Sequence, residues 1–310
     1  MGYDFNLSQS FVHRTTSHEF YIKWTRIGNP DGPAVVFIHG TPWSSVVWHD
    51  VAASLASRYS IYLYDHAGFG SSPRPRRLTA EAAGEEAEEE LKQKQKQVDL
   101  DGSLRLRAEA SAALFKHWAL KPAHVVAHDN GGLVALRLLL QHEVEFASLC
   151  LVDVVALGAS GLPVFQLVAD HEAVFAAIPP HLVDGLVRGY IKNATSQPMS
   201  TQLEDLLAAP WRAGATQGPD RFLNELVQAH HRDTSDLESE YHRVGSRAPT
   251  KIVWGADDAW IPVETAHRLQ RTLHAAEVVV VDDAGHLIQY DQPSRLAVEL
   301  ALWLEDNSNK

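Results

Sequence analysis

The chain of 310 residues contains a single cysteine, Cys150, so no internal disulfide can form and the fold must rest on its core. Cys150 sits in an apolar run with Ala147, Leu149, Leu151 and Val152, where it reads as a small buried residue, and an unpaired thiol fits a reducing compartment. Basic residues are in deficit, with 27 Lys and Arg against 39 Asp and Glu, a net charge of −12. Such a surface repels phosphates, which argues against DNA, RNA and anionic membranes as partners. No window of 18 uncharged apolar residues occurs, so no membrane-spanning helix is expected. The opening MGYDFNLSQSFVHR lacks the apolar stretch of a signal peptide, and Asn6 stands where a myristoylation signal needs Ser or Thr. The expectation is a cytoplasmic protein. Histidine is plentiful at 17 residues, but neither the pair His230-His231 nor the others have ligand spacing to Cys or carboxylates, so no metal is expected.

What is present is ample core material, 45% hydrophobic residues over a length that buries most of its extended-chain surface. Short apolar runs at His18 to Ile27, Ala34 to Ile38, Ser60 to Tyr64, His124 to Ala127, Ala147 to Val155, Lys251 to Trp254 and Glu277 to Val281 alternate with helix-period stretches. Runs such as Val35-Val36-Phe37-Ile38 and Val278-Val279-Val280-Val281 contain no polar residue, as strands covered on both faces require. The spacing predicts an α/β fold with a mostly parallel sheet and helices on both faces, while the alternating HEFYIKWTRIG predicts an antiparallel edge hairpin. From about 156 to 247 the strand signal vanishes and helical pieces appear, HEAVFAAI, HLVDGLVRGYI, TQLEDLLAAPW and RFLNELVQAHHR. The expected organisation is a core of 1–155 and 248–310 with a helical cap of 156–247. The Glu-rich, Lys-rich stretch 79–97 reads as a solvated surface insertion without chemistry.

Chemistry-bearing residues gather where strands end. Ala127-His128-Asp129-Asn130-Gly131-Gly132 joins a strand to the helix LVALRLLLQH, which fits either a nucleophile elbow with Asp129 in place of Ser or a plain Asp N-cap. The strand VVFI runs into His39-Gly40-Thr41-Pro42, Trp254-Gly255-Ala256-Asp257-Asp258 follows another strand, and Asp282-Asp283-Ala284-Gly285-His286 a third. Each motif is weak alone; together they set nucleophile, acid and histidine in the chain order an α/β catalytic triad uses, at the sheet end where such folds place ligands.

On these motifs the chain resembles the α/β-hydrolase superfamily from about residue 18 to 304, excepting 79–97. His39-Gly40-Thr41-Pro42 and the elbow Ala127, Asp129, Gly131, Gly132 are similar to the branch of epoxide hydrolases and haloalkane dehalogenases. The resemblance implies Asp129 as nucleophile, His286 as general base for water and Asp258 as its orienting acid, with Asp153 the fallback acid. It also implies an oxyanion hole made by the backbone N–H groups of Thr41 and Asn130, and no cofactor. Gly255 and Pro262 bracket Asp258 rather than Asp257 in the family's Gly-x-x-Asp-x-x-x-Pro pattern.

A carboxylate nucleophile limits the chemistry. Attack on an ester or amide would leave an anhydride, whereas attack on an sp³ carbon bearing an epoxide oxygen or halide leaves a stable alkyl ester. Haloalkane dehalogenases usually carry Trp after the nucleophile, and fluoroacetate dehalogenases Arg; Asn130 is neither. Epoxide hydrolases use lid tyrosines to protonate the opening oxygen, and Tyr190 and Tyr241 are available, although both also suit packing. An epoxide hydrolase is therefore the leading expectation. A haloalkane dehalogenase, lactone opening, C–C cleavage and a non-catalytic small-molecule-binding protein on the same fold are the alternatives. Trp43 is either a wall of the substrate pocket or core, Trp48 falls on an apolar helix side and reads as core, and Trp211 and Trp260 are unassigned, with packing favoured over a site role. The expected partner is a small-molecule substrate, and a homodimer is compatible with this composition.

Overall fold

The computed structural model describes residues 3–15, 18–78, 103–158, 163–228 and 232–308. The stretch 79–97 and the pair His230-His231 lie outside them. Nine strands form one sheet: β1 (Gln9–Arg14), β2 (His18–Gly28), β3 (Ala34–Ile38), β4 (Ser60–Asp65), β5 (Arg76–Arg77), β6 (Ala123–Asp129), β7 (Phe146–Val154), β8 (Thr250–Gly255) and β9 (Glu277–Val281). The order is β1-β2-β4-β3-β6-β7-β8-β9, with β5 paired to β2. β1 and β2 form the antiparallel hairpin at the edge, β2 joins β4 and β5 antiparallel, and β4, β3, β6, β7, β8 and β9 run parallel. The outermost strand is β1, which the sequence reading did not identify. Its residues alternate between exposed and half-buried, so it lacks the apolar content that marks the central strands.

The central strands are buried throughout because helices cover them. On the chain are α1 (His49–Leu55), α2 (Leu104–Trp118) and α3 (Asn130–Leu140), then a run of helices between β7 and β8, and finally α9 (Glu264–Leu273) and α10 (Pro293–Ser308). The run comprises α4 (Pro163–Asp170), α5 (Glu172–Ala176), α6 (Pro180–Lys192), α7 (Thr201–Ala208) and α8 (Gly218–Gln228), followed by short turns before β8. The pairs α1 with α10 and α2 with α3 pack together. No described residue between β7 and β8 is a strand, in keeping with the four helical pieces read there; α4 is a fifth. None of the helices among the described residues is long and apolar enough to cross a membrane.

This topology positions the site. β3 connects to β4 on one side, while β6 connects onward to β7 on the other, so β3 and β6 are neighbours from which the chain leaves in opposite directions. The crevice beyond their C-terminal ends is where an open α/β sheet receives ligands. Ile38 and Ala127 are register partners, which brings the turn after β3 beside the end of β6.

Candidate active site

Asp129 ends β6 and is the N-cap of α3, with φ 52° and ψ −131°. A non-glycine residue in this region carries roughly 1–3 kcal/mol of strain. It persists because the surroundings leave no room for the backbone to relax. A Cβ on Gly131 would lie 2.7 Å from the His39 carbonyl oxygen, and one on Gly40 would lie 2.1 Å from Asp129 Oδ1. Glycine at both positions lets three chain segments close around one carboxylate. No side-chain cap hydrogen bond forms at Asp129, so the geometry is that of the elbow and not of a plain cap.

The two oxygens of Asp129 have different partners. The Thr41 N–H donates to Oδ1 at 2.6 Å. Oδ2 faces His286 Nε2 at 3.3 Å. On the other side of the ring, His286 Nδ1 lies 2.8 Å from Asp258 Oδ2, and Asp258 Oδ1 accepts the N–H groups of Trp260 at 2.7 Å and Ile261 at 3.0 Å. Asp258, unlike Asp257, therefore meets the histidine. All three side chains are at most 5% exposed.

Burial alone would strip the proton from His286, yet Asp258 first and then Asp129 outweigh it and raise its pKa to about 10. Burial likewise opposes the charge on Asp129, but the hydrogen bond and charge of His286 hold its carboxyl below the ordinary range. The resting site is thus an ion pair.

Asp153 does not pair with His286. It takes φ 42° at the end of β7, opposite the register shift at Asp129, and its Oδ1 accepts the Gly255 N–H at 2.8 Å. Oδ2 has no hydrogen-bond partner among the described residues. Burial, and next the charge of Asp258, push its carboxyl well above the usual range. The fallback role proposed from sequence is displaced by this geometry.

The aromatic residues sort themselves. Trp43 is 2% exposed and stacks on Trp260 at 5.8 Å, so it packs in the core. Trp260 lies 4.6 Å from the His286 ring, and half-buried Tyr190 lies 4.3 Å from Trp260. Burial, then Asp129 and Asp258, push the Tyr190 phenol well above its usual value, so its proton stays on. Tyr241 stands elsewhere. Its hydroxyl donates to the Ala156 carbonyl at 2.7 Å, which makes it a packing residue and removes it as a proton donor. Trp48 is fully buried against Phe37, and Trp211 packs on Phe69 and Phe222 while donating to the Pro42 carbonyl.

Two neighbours escaped sequence reasoning. His128 Nε2 donates to the His286 carbonyl at 2.8 Å. Its pKa is pushed down to about 3 by burial and then by the charge of His286, so it is a neutral tether between the elbow and the histidine loop. Arg107 donates to Thr41 Oγ1 at 3.0 Å. The only available signals were a His beside the nucleophile and an Arg inside an amphipathic helix, and neither is distinctive. A cavity of about 500 Å³ opens among the helices between β7 and β8, lined by Val168, Phe175, Ile178, Val183 and Leu223; neither Asp129 nor His286 lines it. Among the described residues no cluster of His, Cys, Asp and Glu is arranged to hold a metal ion.

Comparison with known proteins gives a consistent frame. A family model described as alpha/beta hydrolase fold matches residues 33–293. An alpha/beta hydrolase fold protein from Burkholderia ambifaria superposes with a TM-score of 0.80 at 30% identity, covering 97% of this chain and 99% of that one. The haloalkane dehalogenase DbeA of Bradyrhizobium elkani gives 0.71 at 17% identity, covering 97% and 99%, a likeness of fold alone. The 2-hydroxy-6-oxo-6-phenylhexa-2,4-dienoate hydrolase of Comamonas testosteroni is 23% identical across 91% of each chain.

Proposed function

Since the chain belongs to the α/β-hydrolase fold family, we propose that it is a cofactor-independent hydrolase in which Asp129 attacks carbon to form an alkyl ester, and that its substrates are epoxides. The observation that carries this reading is the pairing of His286 with both Asp258 and Asp129 Oδ2, while Asp129 Oδ1 is held by the Thr41 N–H.

The two carboxylate oxygens then divide the work. Oδ2 attacks an epoxide carbon, the C–O bond breaks, and the departing oxygen takes a proton from Tyr190, whose phenol is kept protonated by its surroundings. Oδ1 becomes the ester carbonyl oxygen. Esterification removes the negative charge that helped to keep His286 protonated, so the imidazole gives up its proton, which returns through solvent to the Tyr190 phenolate, and becomes a base. A water deprotonated at Nε2 attacks the Asp129 carbonyl carbon. The negative charge develops on Oδ1, which already accepts the Thr41 N–H and to which the Asn130 N–H is assigned as second donor. Collapse expels the diol with Oδ2 and regenerates the ion pair. Asp258 stabilises the imidazolium at each stage.

The epoxide is favoured over a halide because Asn130 stands where haloalkane dehalogenases usually carry Trp, and because Tyr190 lies against the Trp260 ring that covers His286. The helices from 156 to 247 would act as the cap under which the substrate binds. A His286→Gln variant incubated with styrene oxide, an epoxyalkane and a bromoalkane, then digested and weighed, tests the reading. An epoxide adduct on the Asp129 peptide supports it; a bromoalkane adduct alone moves the assignment to a dehalogenase. No adduct with any of them speaks against alkylation.

A further inference from the structure

Beside the oxyanion turn lies a buried cluster of three charges that the reaction does not call for. Arg107 on α2 pairs with Glu225 on α8, and Arg221, one turn before Glu225, pairs with its other oxygen at 2.6 Å. Their side chains are 6%, 0% and 3% exposed. Arg107 also lies 4.5 Å over the Phe69 ring, and Arg221 lies against Gly68. The cluster therefore joins the loop after β4, α2 and α8, which belongs to the helices between β7 and β8. Desolvating three charges is costly, and an apolar filling would hold these elements at least as well.

A feature an apolar filling could not supply is the bond from Arg107 Nη1 to Thr41 Oγ1. Thr41 is the residue whose N–H grips Asp129 Oδ1. We propose that Arg107 is a positioning residue: it fixes the Thr41 peptide against the reacting carboxylate, and Glu225 makes that hold depend on the seating of α8. This rests on the assignment of Asp129 as nucleophile and Thr41 as oxyanion donor. A charge-assisted bond to Oγ1 limits rotation of the turn, so the N–H stays aimed where negative charge develops and need not reorganise during reaction. Glu225 in turn fixes the guanidinium plane by occupying Nη2 while Nη1 reaches Thr41. Helix α8 is thereby coupled through two side chains to the atom that carries the charge of the tetrahedral intermediate.

Thr41→Val removes only the hydroxyl that Arg107 grips, and Thr41→Ser returns it. With styrene oxide as probe, Thr41→Val should lower kcat roughly tenfold to a hundredfold at little-changed KM. Ester should accumulate on Asp129 during turnover, and Thr41→Ser should recover most of the rate. Arg107→Gln and Glu225→Gln should act in the same direction. A second readout needs no substrate: in the free protein the amide proton of residue 41, bonded to a carboxylate at 2.6 Å, should resonate far downfield and move upfield in Arg107→Gln and Glu225→Gln. Variants that lose thermal stability yet leave that resonance in place would make the cluster a clamp only and overturn the proposal, as would a Thr41→Val enzyme with wild-type kcat. If Arg107→Gln does not fold, Glu225→Gln and the two Thr41 variants decide. Absence of any adduct in His286→Gln would count against the covalent reaction, while the amide resonance would still judge the role of Arg107.

Discussion

Replacing Asp129 by Asn removes one negative charge and almost no volume, and its effect on His286 can be worked from the structure. Asp129 Oδ2 stands 3.3 Å from His286 Nε2. Two unit charges at that separation attract by about 5 kcal/mol at the effective dielectric suited to protein sites, equivalent to nearly four pH units of proton affinity, at about 1.4 kcal/mol each. Asp258 keeps its 2.8 Å bond to Nδ1. The His286 pKa, raised to about 10 in the native pair, should therefore fall to around 6 in Asp129→Asn. The assay is the titration of the His286 ring ¹⁵N or C–H resonances from pH 5 to 11 in the two proteins. In the proposed reaction esterification of Asp129 would remove the same charge, and a histidine that is an imidazolium at rest would become a base of ordinary strength. If His286 titrates at the same pH in both proteins, Asp129 does not control its protonation and the proposed sequence of proton states is wrong.

Gly40→Ala should fold but lose at least about a hundredfold in kcat, because the new Cβ would lie 2.1 Å from Asp129 Oδ1 and must displace it from the Thr41 N–H; steady-state kinetics beside a thermal melt separates the two effects. The stability difference between wild type and His286→Gln should depend on pH with a definite sign. A histidine raised from 6.5 to about 10 by folding contributes its full stabilisation below about pH 6.5 and loses it as pH rises through 10, an effect on the order of a few kcal/mol. Denaturant melts at pH 6, 8 and 10 should show the two proteins converging, and a constant gap would contradict the raised value.

Central strands were legible because each is an apolar run too short for a helix and bounded by turn residues, the pattern of strands buried on both faces. β1 was not, since QSFVHR shows water one side and carries little apolar content. The three-residue constellation could be read because each member sits directly after a strand, and topology brings strand ends together whatever lies between. The resemblance to the family's Gly-x-x-Asp-x-x-x-Pro pattern pointed to Asp258 rather than Asp257, and Asp258 is the one within 2.8 Å of His286 Nδ1. The Arg107 cluster could not be read in this way: Arg107 and Glu225 are 118 positions apart, lie in helix interiors and belong to no motif. Tyr190 and Tyr241 look alike in sequence. Only packing shows that one faces Trp260 while the other is tied to the Ala156 carbonyl.

The measurement that tests the covalent mechanism most directly is the fate of oxygen in a single turnover. With enzyme in excess over styrene oxide in ¹⁸O water, water attacks the Asp129 carbonyl carbon and the product departs with the former Oδ2. The diol should emerge largely unlabelled and the peptide containing Asp129 should gain ¹⁸O. Full labelling of the diol in the first turnover, with none on that peptide, would mean that water attacks the substrate directly, and it would contradict Asp129 as the nucleophile.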